Sequence, residues 1–466
     1  MVDVSAIDRR LAGALPPGSL FAVGGRVRDE IRADGDGVPR PAKDLDYVVT
    51  GVTLKELVAR LATIGRADVV GTSFAVVKTT IAGATVDVAL PRRERSTGLG
   101  HREFLVEAGP DVPLYDDLAR RDFRMNMLAR RIGDGELLDP YGGVADIRAR
   151  RIDLLRPAAF VEDPLRMLRA CQFAARFDFG IAAATLATMR AAAPSVGTVS
   201  AERLRDELAK FLTLATRPSL GLRAMLEGDI IARVLPEVAA GIGISQNAFH
   251  AYDVFEHNLQ TLDAVPVGDL TLRIAALLHD VAKPQTRTVA PDGTHFYGHE
   301  NVGAELATAL LERLRFPRAL ITEVAALVKH HMYGANPELD AKALRRFVRR
   351  IGAERLERQF ALRAADIVGS GLPKRGDANE RFEAQVRAIV AQKPALSTRN
   401  LAISGDEIVA ELIRVGRLPA RSGGSPEVGA ILAFLLEQVT DVPGRNERER
   451  LLAIARNYIA GLPAAC

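Results

Sequence analysis

This chain of 466 residues has few cysteines, a small net charge and no long apolar run. Cys171 and Cys466 are the only cysteines, which argues against a disulfide framework and predicts a reducing compartment. No segment approaches membrane-spanning length, and the first residues lack the pattern of a secretory signal, so we expect a cytoplasmic protein without a membrane partner. The net charge of +4 permits a polyanionic partner but does not require one.

Length and residue patterns predict domains of two kinds. A chain this long exceeds one hydrophobic core, so roughly two to four domains are expected. β-rich runs at 20–23, 45–50, 75–81 and 85–89 alternate with helical stretches, whereas the chain after about residue 157 carries mainly helical patterns. We therefore predict an α+β fold, in which a small mixed sheet with helices precedes an all-helical remainder.

The most informative feature is a pair of carboxylates two residues apart. Asp44 and Asp46 lie in Lys-Asp-Leu-Asp-Tyr-Val-Val at 43–49, whose β-branched and aromatic residues predict a strand. Such side chains point to one face of the strand, where two carboxylates repel unless a cation lies between them. Oxygen ligands suit Mg²⁺, and two ions about 4 Å apart serve in-line displacement at phosphorus. A solvated turn would also carry such a pair.

A glycine pair upstream adds a second signal. Gly24 and Gly25 open the run Gly-Gly-Arg-Val-Arg-Asp at 24–29. A glycine turn before a helix lets backbone N–H groups approach an anion, and Arg28 can hold a phosphate. Asp87, in a neighbouring predicted strand, is a candidate third catalytic carboxylate beside Asp44 and Asp46. Together these residues predict a site for a metal-bound nucleoside triphosphate.

A second acidic–basic pair is suited to reading a nucleobase. Asp163 and Arg166 lie three residues apart, on one face of a helix predicted to start near Pro164. Cytosine and adenine both present an amino donor beside a ring-nitrogen acceptor, whereas uracil and guanine present an oxo group and a ring N–H. A carboxylate and a guanidinium could therefore select C and A without a template strand. An exposed ion pair at a helix N-terminus would give the same spacing.

These motifs resemble the class II tRNA nucleotidyltransferases and bacterial poly(A) polymerases. The glycine and carboxylate runs are followed, in the order of that family, by Asp-Leu-Ala-Arg-Arg-Asp-Phe-Arg-Met-Asn at 117–126, Asp-Pro-Tyr-Gly-Gly at 139–143, Glu-Asp-Pro-Leu-Arg-Met-Leu-Arg at 162–169 and Glu-Arg-Leu-Arg-Asp-Glu-Leu at 202–208. The resemblance is strong over residues 20–215 and weaker beyond. It implies a polymerase-β-like nucleotidyltransferase head at 1–155 and a nucleotide-selecting neck at 156–240.

The resemblance also implies a set of nucleotide-binding residues. Its members are Gly24, Gly25, Arg28, Arg121, Glu162, Asp163, Arg166, Arg169 and Gln172. Gln172 stands where the family often has a third arginine, and it can hydrogen-bond but supplies no charge. The basic segment 91–101 corresponds to a flexible family loop that helps to switch from C to A addition, although an ordinary solvated loop would look the same. The longer link from Asp29 to Asp44 predicts a surface excursion.

Six of the eight histidines lie between His257 and His331. Imidazoles and carboxylates that converge from separate helices form a divalent-metal set. The adjacent His279 and Asp280 resemble the HD phosphohydrolase superfamily, which implies an HD-type domain at 241–370 with a transition-metal ion. Its ligands would be His257, His279, Asp280 and Asp366, with His299, His330 and His331 completing a second position. A helical domain that packs against tRNA without metal would be compatible with the same residues.

The last segment, 371–466, is predicted to be a helical tail that holds tRNA. Residues 400–406 and 428–432 resemble the tail of the family. Just before the tail, Leu-Arg-Arg-Phe-Val-Arg-Arg at 344–350 places like charges four residues apart, a repulsion that an RNA backbone would relieve. A solvated face is the commoner explanation for such a run.

The resemblance as a whole implies template-independent addition of CCA to the 3′ end of tRNA from CTP and ATP, with Mg²⁺. Because the chain has no Walker A loop, ATP would be a substrate and not an energy source. CC-adding, A-adding and poly(A)-adding enzymes share the head motifs and stay open. From another class, an HD phosphohydrolase with a degenerate RNA-binding head is the alternative, and a purely structural RNA-binding protein would have no reason to keep abutting carboxylates. The oligomeric state is not predicted.

Overall fold

The computed structural model describes residues 3–37, 45–70, 75–96, 104–373 and 376–463. The chain divides into two compact units. The first comprises Met1–Ile244, Pro266–Arg273 and Ala309–Arg318, and the second comprises Ser245–Val265, Ile274–Thr308 and Ala319–Cys466. The finer division predicted at 155, 240 and 370 stays a prediction.

The first unit contains a mixed sheet followed by helices. In chain order its elements are α1 (Val4–Ala14), β1 (Leu20–Val23), α2 (Gly25–Asp36), β2 (Asp46–Val49), α3 (Leu54–Leu61), β3 (Arg66–Val70), β4 (Val76–Ile81), β5 (Ala84–Ala89), β6 (Arg92–Ser96), β7 (Phe104–Ala108), α4 (Leu114–Ala119), β8 (Ala129–Arg131), β9 (Leu137–Leu138), α5 (Gly143–Arg148), β10 (Arg151–Ile152), α6 (Ala159–Glu162), α7 (Leu165–Phe177), β11 (Gly180–Ile181), α8 (Ala183–Ala192), α9 (Ala201–Leu214), α10 (Ser219–Glu227), α11 (Ile231–Val234) and α12 (Pro236–Ala239).

Seven strands form the main sheet, in the order β3-β4-β5-β2-β1-β8-β9. Strands β2 and β5 pair in parallel, and the other neighbours pair antiparallel. One side of the sheet is covered by a buried cluster that includes Phe21, Val48, Leu118 and Met127. The four predicted strand regions match β1, β2, β4 and β5, because their β-branched side chains, such as Val23, Val48, Val77 and Val86, are buried.

The rest of the chain is almost entirely helical. Its elements are α13 (Val254–Ala264), α14 (Leu270–Leu278), α15 (Lys283–Thr286), β12 (Thr288–Ala290), β13 (Gly293–His295), α16 (His299–Arg313), α17 (Arg318–Lys329), α18 (Ala341–Ile351), α19 (Leu356–Gly369), α20 (Ala378–Ala391), α21 (Gly405–Arg414), α22 (Pro426–Asp441) and α23 (Arg448–Ala460). Among the described residues, no helix has both the length and the apolar character needed to cross a membrane.

One small hairpin interrupts the helices in a part of the chain whose residue patterns are mainly helical. Strands β12 and β13 pair antiparallel on either side of Pro291 and Asp292, and Gly293, which pairs with Ala290, has a φ of +136°. Since only glycine adopts that backbone conformation readily, Gly293 allows the chain to reverse. Local turn chemistry therefore produces a hairpin that the surrounding helical patterns conceal.

Helices α13 and α19 approach each other closely in the second unit. A Cβ atom on Gly369 would lie 2.0 Å from Oγ1 of Thr261, so only glycine fits there. One helical turn earlier on each helix, this packing places Asp366 of α19 beside His257 of α13.

The basic run at 344–350 lies on α18 and is used partly within the protein. Arg345 is buried, and its Nε and Nη2 donate to the backbone oxygens of Thr440 and Asp441 at 2.6 and 2.9 Å. Arg346 forms an ion pair with the Asp441 carboxylate. Both arginines thus stabilise the C-terminal end of α22, where a cation favours the helix dipole.

Candidate functional site

Parallel pairing of β2 with β5 places Asp46 directly opposite Asp87. Side chains that face each other in register lie on the same face of a sheet, so these two carboxylates share one surface. Asp46 is exposed and Asp87 is half-buried, with Nζ of Lys78 at 3.9 Å from Oδ1 of Asp87. Asp44 lies outside the described residues. The structure therefore brings two of the three candidate catalytic carboxylates together.

The glycine turn adjoins this acidic face. Helix α2 begins at Gly25, and Gly24 precedes it with a φ of +66° and no side-chain cap. A Cβ atom on Gly24 would lie 2.4 Å from Nη1 of Arg121, so a side chain here would displace the guanidinium. Burial lowers the pKa of Arg121, while the negative charges of Asp117 and Asp46 raise it. Arg121 thus lies between the start of α2 and the acidic face.

Arg28 is held in a buried network instead of facing solvent. Its Nε and Nη2 each donate to Asp29 at 2.8 Å, and its Nη1 donates to Oδ1 of Asn126 at 2.7 Å. The guanidinium also lies over the rings of Phe173 and Phe177. A phosphate contact by Arg28 would require some of these partners to be exchanged, and the role stays a prediction.

Arg169 is engaged by a buried carboxylate that sequence reasoning did not single out. Nε and Nη2 of Arg169 donate to Oδ2 of Asp122 at 2.9 and 2.7 Å, and Asn126 donates to Oδ1 of Asp122 at 2.7 Å. Burial acts to raise the pKa of Asp122, but Arg169 and Asn126 outweigh it and lower that pKa. Nη1 of Arg169 also lies 3.5 Å from Oε1 of Glu207. Asp122 belongs to the 117–126 motif, which was its only sequence signal.

The predicted base-selecting pair lies at the junction of α6 and α7. Asp163 follows the last residue of α6, and its two carboxylate oxygens accept from Nη2 of Arg203 at 3.1 and 3.0 Å. Arg166 donates from Nη2 to the backbone oxygen of Arg120 at 2.7 Å. Its Nη1 is buried without a hydrogen-bond partner in the described part of the chain. Burial lowers the pKa of Arg166.

Two further predicted residues and one missed residue flank this pair. Glu162 pairs with Arg156 through both carboxylate oxygens. Gln172 is buried in α7, and its Nε2 has no hydrogen-bond partner among the described residues. Arg203 was missed, since its only signal was its position in the 202–208 motif.

In the second unit, the HD-type residues converge on the Asp280 carboxylate. Its Oδ2 lies 3.2 Å from Nε2 of His257 and 3.3 Å from Nε2 of His279. Its Oδ1 lies 3.3 Å from Nε2 of His299 and 3.5 Å from Nε2 of His331. One carboxylate therefore faces two histidine pairs, one on each oxygen.

Asp366 completes the first of these two groups. Its Oδ1 lies 3.2 Å from Nε2 of His257 and 3.6 Å from Nε2 of His279. Burial lowers the pKa of His279, but the Asp280 and Asp366 carboxylates outweigh it and raise that pKa to about 10. The same histidines hold the pKa values of both carboxylates well below their ordinary range, against the effect of burial.

Backbone contacts orient three of these rings. The Nδ1 atoms of His279, His299 and His331 lie 2.8, 2.6 and 2.7 Å from the carbonyl oxygens of Ala276, Phe296 and Val328. A proton on each Nδ1 leaves the Nε2 lone pair directed at the cluster, as in metal-ligating histidines. Because Nε2 of His257 and Nε2 of His279 are only 3.0 Å apart, a proton or cation must lie between them. The donor set fits divalent metal.

The structure separates the adjacent histidines His330 and His331. His331 joins the cluster, whereas the partly exposed His330 lies near Arg350, Lys329 and Arg355, whose charges add to burial in lowering its pKa. His250, which sequence reasoning missed, can form a group with His257 and Asp366.

Lys283 was also missed. Its Nζ donates to Gln246 at 2.6 Å and lies 2.5 Å from Oδ2 of Asp280. It lies three residues after Asp280 and at the start of α15, so its signal was its spacing from the His-Asp pair.

Three family models match separate parts of the chain. They describe the poly(A) polymerase head domain over residues 20–153, a probable RNA- and SrmB-binding site of polymerase A over 178–242, and the HD domain over 250–368. A multifunctional CCA protein of Azoarcus sp. (strain BH72) is 38% identical over 366 residues, which cover 75% of this chain and 84% of that protein. Another, from Cupriavidus necator, is 35% identical over 87% of this chain and 100% of its own length.

The chain belongs to the family of multifunctional CCA proteins. Solved structures agree on the fold. The Bacillus stearothermophilus CCA-adding enzyme in complex with CTP has a TM-score of 0.68 at 22% identity, covering 98% of this chain and 97% of its own. The Thermotoga maritima CCA-adding enzyme with tRNA has a TM-score of 0.55 at 21% identity, covering 98% and 96%. The predicted family and α+β fold are confirmed.

Proposed function

We propose that this chain adds CCA to the 3′ end of tRNA from CTP and ATP, without a nucleic-acid template. The observation that carries the proposal is the register that sets Asp46 opposite Asp87, beside the glycine turn and Arg121. The names of the relatives and the CTP bound by the Bacillus enzyme support the same reaction. In it, the tRNA 3′-hydroxyl attacks the α-phosphorus, the bond to the β-phosphate oxygen breaks, and pyrophosphate leaves.

The acidic face supplies the oxygen ligands for this step. Asp44, Asp46 and Asp87 would hold Mg²⁺, which lowers the pKa of an attacking hydroxyl and stabilises pyrophosphate as it leaves. The first backbone N–H groups of α2 and the guanidinium of Arg121 bind the triphosphate, since both offer positive charge next to the carboxylates.

Base selection falls to Asp163 and Arg166. Asp163 accepts from the amino group that cytosine and adenine share, and Arg166 donates to the neighbouring ring nitrogen. Nη1 of Arg166 supports this role, because it has no hydrogen-bond partner among the described residues and only a long ion pair of 3.8 Å with Glu162, and a buried donor without an acceptor is costly until a ligand supplies one. Arg203 restrains the Asp163 carboxylate and so fixes which lone pairs face the base.

Sizing the products from defined tRNAs tests this activity. The protein is incubated with Mg²⁺, CTP and ATP and with tRNAs ending before CCA, after C or after CC. A single complete CCA is expected. Addition of CC alone, A alone or a long A tract would instead assign a partial enzyme or a poly(A) polymerase. No extension of any tRNA, with phosphoester hydrolysis intact, would overturn the assignment of the head.

A second activity, metal-dependent phosphoester hydrolysis, is proposed for the histidine cluster. The oriented Nε2 atoms of His279, His299 and His331 carry it. His257, His279, Asp280 and Asp366 would hold one transition-metal ion and Asp280, His299 and His331 a second, and bound metal supplies hydroxide near neutral pH. With a 2′,3′-cyclic phosphate, water adds to phosphorus, one P–O bond to the ribose breaks, and the released ribose oxygen takes a proton.

His279→Ala separates the two activities. We expect this variant to lose hydrolysis of 2′,3′-cyclic nucleotides and to keep nucleotidyl transfer, because the cluster lies in the other compact unit from Asp46. Loss of both activities would argue that the histidine domain has a structural role.

A further inference from the structure

Three large apolar side chains surround the opening of the histidine cluster, and each lies one or two residues from a cluster histidine along the chain. Phe249 directly precedes His250, Met332 directly follows His331, and Tyr297 lies two residues before His299. Their exposed fractions are 68%, 58% and 76%. We call these three side chains, Phe249, Tyr297 and Met332, the apolar collar. Exposure of this degree costs free energy unless a ligand covers it.

The collar lines a cavity of about 580 Å³ whose floor is polar. Asp280, Asp366, His299 and His331 line it together with two cations, Lys283 and Arg363. This volume lies within the range of small-ligand sites. Lys283 pairs with Asp280 and Arg363 with Asp366, so the cavity joins a floor of charged groups and proposed metal ligands with a rim suited to a flat apolar group.

Neighbouring groups hold the two aromatic residues of the collar, Tyr297 through its ring and Phe249 through its backbone. Tyr297 stacks on His295 with ring centroids 5.2 Å apart and an interplanar angle of 8°, which leaves its other face open. The backbone N–H of Phe249 donates to Oδ1 of Asn247 at 3.2 Å, and the same oxygen lies 3.1 Å from Nδ1 of His250. The ring of Tyr297 therefore offers a stacking face at little entropic cost, and the anchored backbone of Phe249 keeps its side chain at the rim.

We propose that the apolar collar is a nucleobase-binding subsite, which makes the cluster select phosphates attached to a nucleoside, such as the 3′-terminal nucleotide of RNA. The inference rests on the hydrolysis proposed above. A terminal nucleotide places a flat π-system one ribose away from its phosphate, and unpaired RNA bases stack on aromatic side chains. A nucleoside phosphate combines an anionic group, for a floor that holds Lys283, Arg363 and the proposed metal ligands, with a flat face for Phe249 and Tyr297.

Two substrates that differ only in the base test the proposal. Adenosine 2′,3′-cyclic phosphate and glycerol 1,2-cyclic phosphate carry the same five-membered phosphate ring, but glycerol has no base. Phe249→Ala and Tyr297→Ala should each lower kcat/KM for the adenosine substrate about tenfold, through KM. Neither variant should change kcat/KM for the glycerol substrate. The matched control is Val289→Ala, an equally exposed apolar residue outside the cavity lining, which should change neither.

A binding measurement on metal-free protein provides an independent readout. Calorimetric titration with 3′-AMP should show weaker binding by Phe249→Ala/Tyr297→Ala than by the wild type, and an unchanged thermal melt of the second unit shows that the double variant folds. If the wild type hydrolyses both substrates and the variants weaken both equally or neither, the collar proposal is overturned while hydrolysis stands. If the wild type hydrolyses neither, the hydrolysis proposal fails, and unchanged 3′-AMP binding in the double variant would overturn the collar as well.

Discussion

The two candidate sites of this chain handle charge in opposite ways. In the first unit, Arg28, Arg169 and Asp163 are already paired with protein groups, so a nucleotide must exchange partners or use what is left open. In the second unit, imidazole nitrogens 3.0 and 3.2 Å apart face each other and carboxylates, an arrangement that a cation resolves. The charged groups of a proposed site for a transient substrate can thus be neutralised by the protein's own ion pairs. A proposed site for a resident ion instead needs several ligands that converge on one point.

The largest effect is expected when a carboxylate of the acidic face is removed, because only one of the two activities should be lost. Asp46→Asn should lower tRNA extension at least about a hundredfold, because metal-stabilised charge contributes several kcal/mol to such steps. Hydrolysis of cyclic phosphates should not change. Asp68→Asn, another exposed strand aspartate, is the matched control. Primer extension gels and phosphate assays measure both activities, and retained extension in Asp46→Asn would refute the role of the acidic face.

The metal stoichiometry of variants tests the ligand assignment in the histidine cluster of the second unit. Asp280→Asn should lose bound metal from both positions, because its two oxygens face different histidine pairs, whereas His331→Ala should lose metal only from the second position. Elemental analysis after dialysis against the transition metal gives the stoichiometry. Asp292→Asn, an exposed aspartate that pairs with His295 in the β12–β13 hairpin, serves as the control. Equal stoichiometry in Asp280→Asn and His331→Ala would show that the oxygens do not serve separate positions.

Glycine substitutions test the close approach at the start of α2. Gly24 and Gly18 both have positive φ, +66° and +75°, but only Gly24 has a neighbour within 4 Å of an added Cβ. Gly24→Ala and Gly18→Ala should each cost about 1–3 kcal/mol of unfolding free energy through backbone strain. Only Gly24→Ala should also raise KM for CTP, because it displaces Arg121. Thermal melts and CTP kinetics check this, and an equal KM for both variants would contradict it.

The smallest effect concerns the basic run on α18. Arg345→Ala should lower the unfolding free energy by about 1 kcal/mol, because it removes a cation from the C-terminal end of α22. Arg349 on the exposed face is the matched control, and Arg349→Ala should leave the melting temperature unchanged. Equal losses for the two variants would show that the end of α22 does not depend on Arg345.

Local sequence patterns could predict four strands and could single out candidate site residues, several of which the structure brings together. The β-branched runs predicted β1, β2, β4 and β5, and the helix start after Pro164 was correct. Whether Asp46 faces Asp87 depends on the pairing of strands separated by about forty residues, which periodicity along one strand does not specify.

Sequence patterns did not predict the side-chain partners that lie far apart along the chain. Arg203 lies forty residues from Asp163, and Asp122 meets Arg169 across a similar separation, so neither pair shares a helix face or a strand. His250 and Lys283 were not predicted as site residues because they lie outside the His-Asp motif, although both side chains lie at the cluster. Helix packing brings such residues together. The close approach of α19 to α13 at Gly369, for example, places Asp366 beside His257.

The ligands of the histidine cluster come from α13, α19, the first residue of α16 and the segments that follow α14 and α17. Each proposed ion draws its ligands from at least three of these segments and can bind only when they are assembled, so its binding free energy is also folding free energy. At a free concentration one hundred times its dissociation constant, such an ion would add about 2.7 kcal/mol to stability. The thermal stability of the second unit would then report how much metal the cell supplies, independently of any reaction catalysed there.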